Sequence, residues 1–248
     1  GLFKPLDPPL LFVSGGAGSG KSHLIYIICQ YLERILRRRG DNPDCPYILK
    51  CALTGTAAAN IEGSTLHSTF GFNFGNEYLS LSDKKRDEKR ILLKNLTFLI
   101  IDEVSMISSD LLYKIDLRLR ELTERPGQLF GGISVLCFGD LMQLRPVMAR
   151  YIFEKPNSDT FENSFYVRSL WASFQPINLI TNHRQGEDKI FGDLLNRLRY
   201  GEQSAEDIKT LKTRVFQRHS QEIPKDSMVV HLARLRFSEL SKCYGAPV

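Results

Sequence analysis

The stretch that decides the fold is Gly15-Gly16-Ala17-Gly18-Ser19-Gly20-Lys21-Ser22. It fits the pattern G-x-x-x-x-G-K-[ST], in which a glycine-rich loop joins a strand to a helix. An apolar run typical of a buried strand, residues 10–13, precedes it, and apolar residues recur at helical spacing over residues 24–36. The glycines let backbone amides turn inward around a polyphosphate, and the helix N-terminus adds partial positive charge. The stretch therefore predicts a phosphate-binding loop.

Each part of this loop has a predicted task. Lys21 can reach the β- and γ-phosphates of a nucleotide, and the Ser22 hydroxyl can ligate Mg²⁺. The cradle around the phosphates is predicted to consist of Gly15, Gly16, Ala17, Gly18, Ser19 and Gly20. The alternative is a glycine-rich turn with a chance lysine, which the flanking strand and helix patterns disfavour.

Composition limits the class of protein. The 248 residues suit one large α/β domain, or one domain plus part of another, and 42% hydrophobic content is enough for a core. The net charge of +5 is compatible with a polyanionic partner. Five scattered cysteines without a C-x-x-C pair argue against a zinc site and for a reducing compartment, so we expect an intracellular protein. No apolar run is long enough to cross a bilayer, and no membrane partner is expected.

A second motif follows another apolar strand. Residues 97–101 lead directly into Asp102-Glu103, and ligands of open parallel sheets bind at the carboxyl ends of the strands. Asp102 is predicted to hold Mg²⁺ opposite Ser22, and Glu103 to polarise the water that attacks the γ-phosphate. The alternative for an Asp-Glu pair at this place is a helix N-cap.

A further polar group follows the strand predicted over residues 133–138. Gln143 lies just beyond it, where its amide can hydrogen-bond a γ-phosphate oxygen or the attacking water, although a surface glutamine and a turn aspartate are the plainer interpretation. The basic run 84–90 is interpreted as a solvated helix face or loop rather than a DNA contact.

The remaining pattern completes the fold prediction. Further strands are predicted at 47–52 and 177–180, helices over 111–122 and beginning within 170–174, and a turn with a short helix at 53–61. Alternating strands and helices predict an α/β fold with a mostly parallel sheet and helices on both faces.

The ordered motifs resemble those of superfamily 1B DNA helicases, most closely the Pif (petite integration frequency) family of RecD relatives. The stretches that carry the resemblance are the phosphate loop, Thr54-Gly55-Thr56-Ala57-Ala58, Thr65-Leu66-His67-Ser68, Ile101-Asp102-Glu103-Val104-Ser105-Met106, Phe130-Gly131-Gly132-Ile133, Gly139-Asp140-Leu141-Met142-Gln143-Leu144 and His183-Arg184-Gln185. The resemblance implies a RecA-like P-loop motor domain that uses ATP and Mg²⁺ and moves 5′ to 3′ on single-stranded DNA. It also implies genome maintenance, including DNA repair, recombination and telomere maintenance, on forked or G-quadruplex DNA, in the nucleus or mitochondrion of a eukaryote.

Position by position, the resemblance assigns further roles. The implied ATPase set is Lys21, Ser22, Asp102, Glu103, Gln143 and Arg184, and Arg184 would neutralise charge at the γ-phosphate. The implied DNA contacts are Thr54, Thr65 and His67, whose hydroxyls and imidazole suit phosphates. The alternative for His67 is a buried core histidine, and Phe70 and Phe72 either stack on bases or pack in the core.

The chain also departs from the family pattern. Arg145 stands where a proline is common, and the adenine-contacting glutamine usual upstream of the first strand is not in the sequence. We expect residues 1–200 to be the first motor domain and 201–248 a linker and the start of a second RecA-like domain. The chain then resembles a monomeric piece of a larger helicase, weakly active or inactive alone.

Two competing functions follow from the same motifs. One is an ATP- and DNA-binding module without turnover, which serves as an interaction or regulatory element. The other, a P-loop GTPase or kinase, is disfavoured by the stretch 139–144 and by the missing guanine-reading N-K-x-D pattern.

Overall fold

The computed structural model describes residues 7–73, 78–156, 170–181 and 189–213. These residues belong to two compact units, divided between Lys189 and Ile190. The division into domains 1–200 and 201–248 stays a prediction. Of the segment 201–248, predicted to be a linker and the start of a second RecA-like domain, residues 214–248 lie outside the described residues.

Strands and helices alternate along the chain, as the apolar periodicity predicts. The strands are β1 (Leu10–Gly15), β2 (Ile48–Ala52), β3 (Ser64–Thr65), β4 (Phe98–Asp102), β5 (Ser134–Gly139) and β6 (Gln175–Leu179). The helices are α1 (Lys21–Leu36), α2 (Gly55–Asn60), α3 (Leu66–Phe70), α4 (Asp83–Leu92), α5 (Ser109–Thr123), α6 (Lys189–Tyr200) and α7 (Ala205–Lys212).

The strands form one sheet with the spatial order β3-β2-β4-β5-β1-β6. Every pairing among these six strands is parallel. All six residues of β5 are buried, as expected for a central parallel strand covered on both faces. The predicted α/β fold with a mostly parallel sheet is confirmed.

Helices cover both faces of this sheet. In β4, Leu99 and Ile101 belong to one apolar cluster, and Ile100 belongs to another on the opposite face, because successive strand residues point to opposite sides. Leu119 of α5 joins the first cluster, and Ile25 of α1 joins the second. Helices α1 and α5 therefore hold the sheet between two apolar layers.

Helix α5 carries charged side chains into the interior. Asp116 and Arg118 are almost completely buried. The Arg118 guanidinium donates to the Glu121 carboxylate at 2.6 Å and to the Leu79 carbonyl at 2.8 Å. A buried charge is tolerated when it is paired and hydrogen-bonded in this way.

The segment between α5 and β5 is bound tightly to the end of α5. The Phe130 amide donates to the Asp116 carboxylate, which also pairs with Arg120 at 2.8 Å. Phe130 and Gly131 both have positive φ, 50° and 59°. A Cβ on Gly131 would lie 2.6 Å from the Leu119 carbonyl oxygen. The stretch 130–133 therefore closes the connection from α5 into the central strand β5.

Two details differ from the sequence expectations. The helix expected to begin within 170–174 is a single 3₁₀ turn, Leu170–Ser173, and the strand after it begins earlier, at Gln175. Four cysteines in the described residues are free and buried, Cys29, Cys45, Cys51 and Cys137. No helix in the described part of the chain has the length and apolarity needed to cross a bilayer.

A pair of glycine substitutions tests the packing of this connection. We expect Gly131→Ala to destabilise the chain by about 2–4 kcal/mol, because the new methyl group meets a backbone oxygen at positive φ. Gly127→Ala in the same connection is the control, since an added Cβ has no atom within 4 Å there. Urea unfolding measures both. Equal stability of the two variants would contradict this account of the connection.

Candidate functional site

The glycine-rich loop lies between the carboxyl end of β1 and the start of α1. Gly18 and Gly20 have φ values of 82° and 88°, which side chains other than glycine rarely adopt. A Cβ on Gly15 would lie 2.3 Å from the Ser19 hydroxyl oxygen. Helix α1 has no side-chain cap at Gly20, so its first amides suit an anion.

Lys21 bridges the two sides of this loop. Its Nζ donates to the Gly15 carbonyl at 2.7 Å and to the Gly16 carbonyl at 3.1 Å. An ammonium group has three N–H donors, so these two contacts hold the side chain over the loop and leave a donor for a phosphate oxygen.

Two carboxylates lie at the carboxyl end of strand β4. Asp102, the last residue of β4, is 4% exposed, and its Oδ1 accepts from the Glu103 amide at 2.9 Å. Burial raises the pKa of Asp102 above its usual range. Glu103 has left-handed backbone angles, φ 51° and ψ 48°. Such a conformation costs about 1–2 kcal/mol for a residue other than glycine and is concentrated at functional sites.

The carboxyl end of β5 holds a third polar group. Asp140 is buried, and its Oδ1 accepts from the Met142 amide at 3.0 Å. The Gln143 Nε2 lies 3.4 Å from Asp140 Oδ2. A Cβ on Gly139 would lie 2.9 Å from the Val104 amide nitrogen, so β5 ends against the turn that follows Glu103. The plainer interpretation of Asp140 from the sequence is a turn aspartate, and its burial, 2% exposed, distinguishes it from one.

These groups line one open cleft of about 570 Å³. The residues lining it are Ala17, Gly18, Ser19, Gly20, Lys21, Ser22, His23, Asp102, Glu103 and Gln143. The sequence predictions for the loop and for both strand ends therefore converge on one place, and Gly15 and Gly16 contribute through their carbonyl contacts to Lys21. Arg184, the remaining predicted member, lies outside the described residues.

The donor set in the cleft fits a phosphate chain with a divalent cation. The Ser19 hydroxyl is buried and has no hydrogen-bond partner within the described residues, a state that costs about 1–3 kcal/mol unless a ligand satisfies it. The exposed Ser22 hydroxyl and the Asp102 carboxylate are the hard oxygen ligands that Mg²⁺ prefers.

The residues predicted to contact DNA lie elsewhere on the same sheet edge. Thr54 caps α2, where its hydroxyl oxygen accepts from the Ala57 amide, and Thr65 caps α3 and accepts from the Ser68 amide. A hydroxyl that accepts through its oxygen still has its hydrogen to donate. Both threonines can therefore serve the fold and a phosphate at once.

The strand register joins Thr65 to the cleft. Ala52 at the end of β2 is paired with Asp102 on one side and with Thr65 on the other. Neighbouring strands lie about 4.8 Å apart, so the backbones at Asp102 and Thr65 are separated by roughly 10 Å.

His67 is partly buried in α3 and contacts an aromatic side chain. Its ring lies edge-on to Phe72, with 6.3 Å between ring centroids. Burial, followed by the charge of Lys114, lowers the pKa of His67, so the imidazole is neutral near pH 7. Phe70 is fully buried in the core, and Phe72 packs against the core while partly exposed. Of the two phenylalanines, Phe72 alone keeps surface for a ligand.

The basic run 84–90 lies in α4, largely as a solvated helix face. Two of its members also serve the fold, since Lys89 donates to the Thr69 carbonyl and Arg90 pairs with Glu124 at 2.9 Å.

Comparison with known proteins identifies relatives of the whole described sheet. The family model described as PIF1-like helicase matches residues 5–209. The chain is 35% identical over 207 residues to the ATP-dependent DNA helicase PIF1 of Emericella nidulans, which covers 82% of this chain and 26% of that protein. It is 33% identical over 205 residues to the ATP-dependent DNA helicase RRM3 of Saccharomyces cerevisiae, and this match covers 82% of this chain and 27% of that protein. The chain thus spans about a quarter of these curated relatives.

Solved structures give the same relationship. Bacteroides Pif1 bound to single-stranded DNA has a TM-score of 0.63 and 34% identity, over 86% of this chain and 47% of that one. Bacteroides Pif1 in complex with ADP-AlF3 and single-stranded DNA has a TM-score of 0.64 and 30% identity, over 96% and 54%.

The buried carboxylate in the cleft gives a testable pH dependence. Folding raises the pKa of Asp102, so the ionised carboxylate destabilises the unliganded fold. This cost is absent below the unfolded pKa, grows as the pH rises and is complete above the folded pKa. We therefore expect Asp102→Asn, without metal or nucleotide, to raise Tm at about pH 7, where 1 kcal/mol corresponds to about 2–4 °C.

The gain should shrink as the pH is lowered toward the ordinary aspartate range, about 4, because the buried wild-type carboxyl, whose pKa is raised, becomes protonated on the way. Differential scanning fluorimetry across this range measures it, with Glu103→Gln in the same cleft as a control that should change Tm little. A lower Tm for Asp102→Asn at all pH values would show that the carboxylate stabilises the unliganded fold.

Proposed function

This chain belongs to the PIF1-like helicase family, and we propose that it forms the ATP-binding motor domain of an ATP-dependent DNA helicase that moves 5′ to 3′ on single-stranded DNA. The observation that carries the proposal is the cleft in which the glycine-rich loop meets Asp102, Glu103 and Gln143. Its place at the carboxyl edge of a parallel sheet is where such folds bind nucleotides.

Nucleotide binding rests on the loop and α1. The first amides of α1 and the Ser19 hydroxyl surround the phosphate chain, and the remaining Lys21 donor is directed to the β- and γ-phosphate oxygens. Ser22 and Asp102 would hold Mg²⁺, which neutralises phosphate charge when bound. The cost of the buried Asp102 carboxylate is then offset by a cation.

Hydrolysis needs a base, a positioned water and charge stabilisation. The oxygen of water attacks the γ-phosphorus, the bond to the bridging oxygen of ADP breaks, and Glu103 accepts the proton of the water. Gln143, whose side chain lies beside the buried Asp140 carboxylate, orients the water or a γ-phosphate oxygen. Arg184 is proposed to approach the γ-phosphate and stabilise the charge that spreads over it.

DNA binding is assigned to Thr54, Thr65 and His67. These groups donate single hydrogen bonds to backbone phosphates, which position a strand without reading its sequence. Because Thr65 and Asp102 are joined through the paired residue Ala52, a change of ligand in the cleft can shift the DNA-contacting edge through a short rigid route.

The wider biology is proposed from the family. These motifs are typical of a longer helicase. We propose that this helicase acts on forked or G-quadruplex DNA in repair, recombination or telomere maintenance. We further propose that it does so in the nucleus or mitochondrion of a eukaryote. One solved relative concerns DNA unwinding at forked double-stranded DNA by two coordinating Pif1 helicases, so a monomeric state of this chain stays a prediction for sedimentation analysis.

The role of Glu103 can be separated from binding. We expect Glu103→Gln to bind a fluorescent ATP analogue like the wild type but to lose hydrolysis by about 10²–10⁴-fold, because the amide keeps the shape and removes the base. Lys21→Ala should lose binding as well, since it removes a charged phosphate contact.

Phosphate release is measured with single-stranded DNA, in this chain and in a longer chain with both motor domains. Wild-type turnover by Glu103→Gln would refute the assignment. Binding without hydrolysis by both wild-type chains would favour the alternative of a module without turnover.

His67 gives a prediction for DNA. We expect His67→Ala to weaken binding of thymine, cytosine and adenine oligonucleotides by a similar factor, roughly ten-fold, as loss of a charge-assisted contact predicts. A phosphate raises the pKa of the bound imidazole, so wild-type affinity should rise as pH falls toward about 6, and the variant should lack this rise. Fluorescence anisotropy measures both. A base preference that disappears in His67→Ala would point instead to direct readout.

A further inference from the structure

A small polar cavity lies beside His67, outside the nucleotide cleft. Its volume is about 190 Å³, and Phe72, Ser82, Lys85, Lys114 and Arg118 are among the residues that line it. Pockets that bind whole small molecules are about 300–1,000 Å³. This cavity therefore suits a single chemical group rather than a nucleoside.

The cavity is electropositive. Lys114 is 7% exposed, and burial lowers its pKa. Lys89 lies about one helical turn beyond Lys85 on α4, and its pKa is lowered by burial and then by the charges of Arg118 and Lys85. Lys85 itself is exposed and forms no ion pair with any described residue. Three cationic side chains, Lys85, Lys114 and Arg118, therefore line one small cavity, and an anion bound there would be attracted to them.

The carboxylates near these cations occupy other places. Glu121 accepts from Arg118, from the Tyr78 hydroxyl and from the Leu81 amide. Asp110 lies close enough to Lys114 to raise its pKa, though less than burial lowers it. The cavity therefore keeps a positive charge at the mouth, where Lys85 lies.

Arg118 forms a fixed wall rather than a mobile contact. Its guanidinium lies 5.5 Å from the Phe72 ring centroid and 5.0 Å from that of Tyr78, and it donates to Glu121 and to the Leu79 carbonyl. Such a side chain positions its neighbours, whereas Lys85 and Lys114 are the other cationic residues of the cavity lining.

The cavity continues the line of predicted DNA contacts. Phe72, which forms part of its wall, touches the His67 ring at 6.3 Å between centroids. Lys114, also in the wall, is near enough to lower the pKa of His67. Thr65, His67 and the cavity are therefore consecutive along α3 and the segment after it.

We propose that this cavity binds a backbone phosphate of the single strand that contacts His67, with Lys85 and Lys114 as the contacting residues. The inference rests on the proposed DNA-binding function and extends it by one phosphate. A phosphodiester fits the cavity in size and charge, and the exposed edge of Phe72 offers an apolar surface to the adjoining base.

Two adjacent lysines on α4 provide the test. Lys84 and Lys85 are both exposed, and only Lys85 lines the cavity, so Lys84→Gln is a control with the same charge change. At about 50 mM salt we expect Lys85→Gln to weaken binding of a fluorescein-labelled oligothymidylate about five- to ten-fold, and Lys84→Gln less than about two-fold.

The salt dependence adds an independent readout. A lost phosphate contact should make the slope of log affinity against log salt shallower by about 0.7 for a single strand. Lys85→Gln and Lys114→Gln should each show this change, with thermal melting of Lys85→Gln confirming an intact fold.

Equal affinities and slopes for Lys84→Gln and Lys85→Gln would overturn the inference. If His67→Ala still weakens binding in that case, the proposed DNA function stands without the cavity. If the wild-type chain does not bind the oligothymidylate, the proposed function itself fails. A loss confined to forked duplex would overturn the assignment to the single strand.

Discussion

The parallel pairing of the central strands is the constraint on which the rest of this structure depends. Backbone hydrogen bonds fix Ser14 beside Gly139, Ile101 beside Cys137 and Ala52 beside Asp102. Parallel strands end at the same edge, so the loop after β1 and the polar residues after β4 and β5 must meet there. The position of the proposed nucleotide cleft therefore depends on this register, and the N-terminus of α1 completes it.

Close approach between backbones keeps that edge in shape. Gly139 lies against the turn that follows Glu103, and a methyl group there would meet the Val104 amide nitrogen. Glu103 in turn takes a left-handed backbone conformation. The packed core holds Glu103 in this strained conformation, because a close-packed interior deforms little around a single position. The surrounding sheet therefore stabilises the strained backbone that places Glu103, the base proposed for hydrolysis, in the cleft.

Buried charge is used in two ways in the first unit. Asp116 and Arg118 are paired within α5 and its neighbours, where they fix the connections around that helix. Asp102 and Lys114 are buried with pKa values shifted toward their neutral forms. A charge that is costly without a ligand becomes favourable when an ion of opposite sign binds. The two proposed ligand sites, for Mg²⁺ with nucleotide and for a DNA phosphate, share this electrostatic design.

The sequence by itself determined the local parts of this protein. The loop 15–22, the strands before and after it and the carboxylates after β4 are read from neighbouring residues, because glycine freedom, apolar periodicity and helix polarity act over a few positions. Only the tertiary structure decided how these parts lie together. It paired Ala52 with both Thr65 and Asp102, buried Asp140, and brought Lys85 of α4 and Lys114 of α5 to one cavity beside His67. Those contacts join residues separated by tens of positions, and their formation depends on the packing of the whole sheet, which no local pattern encodes.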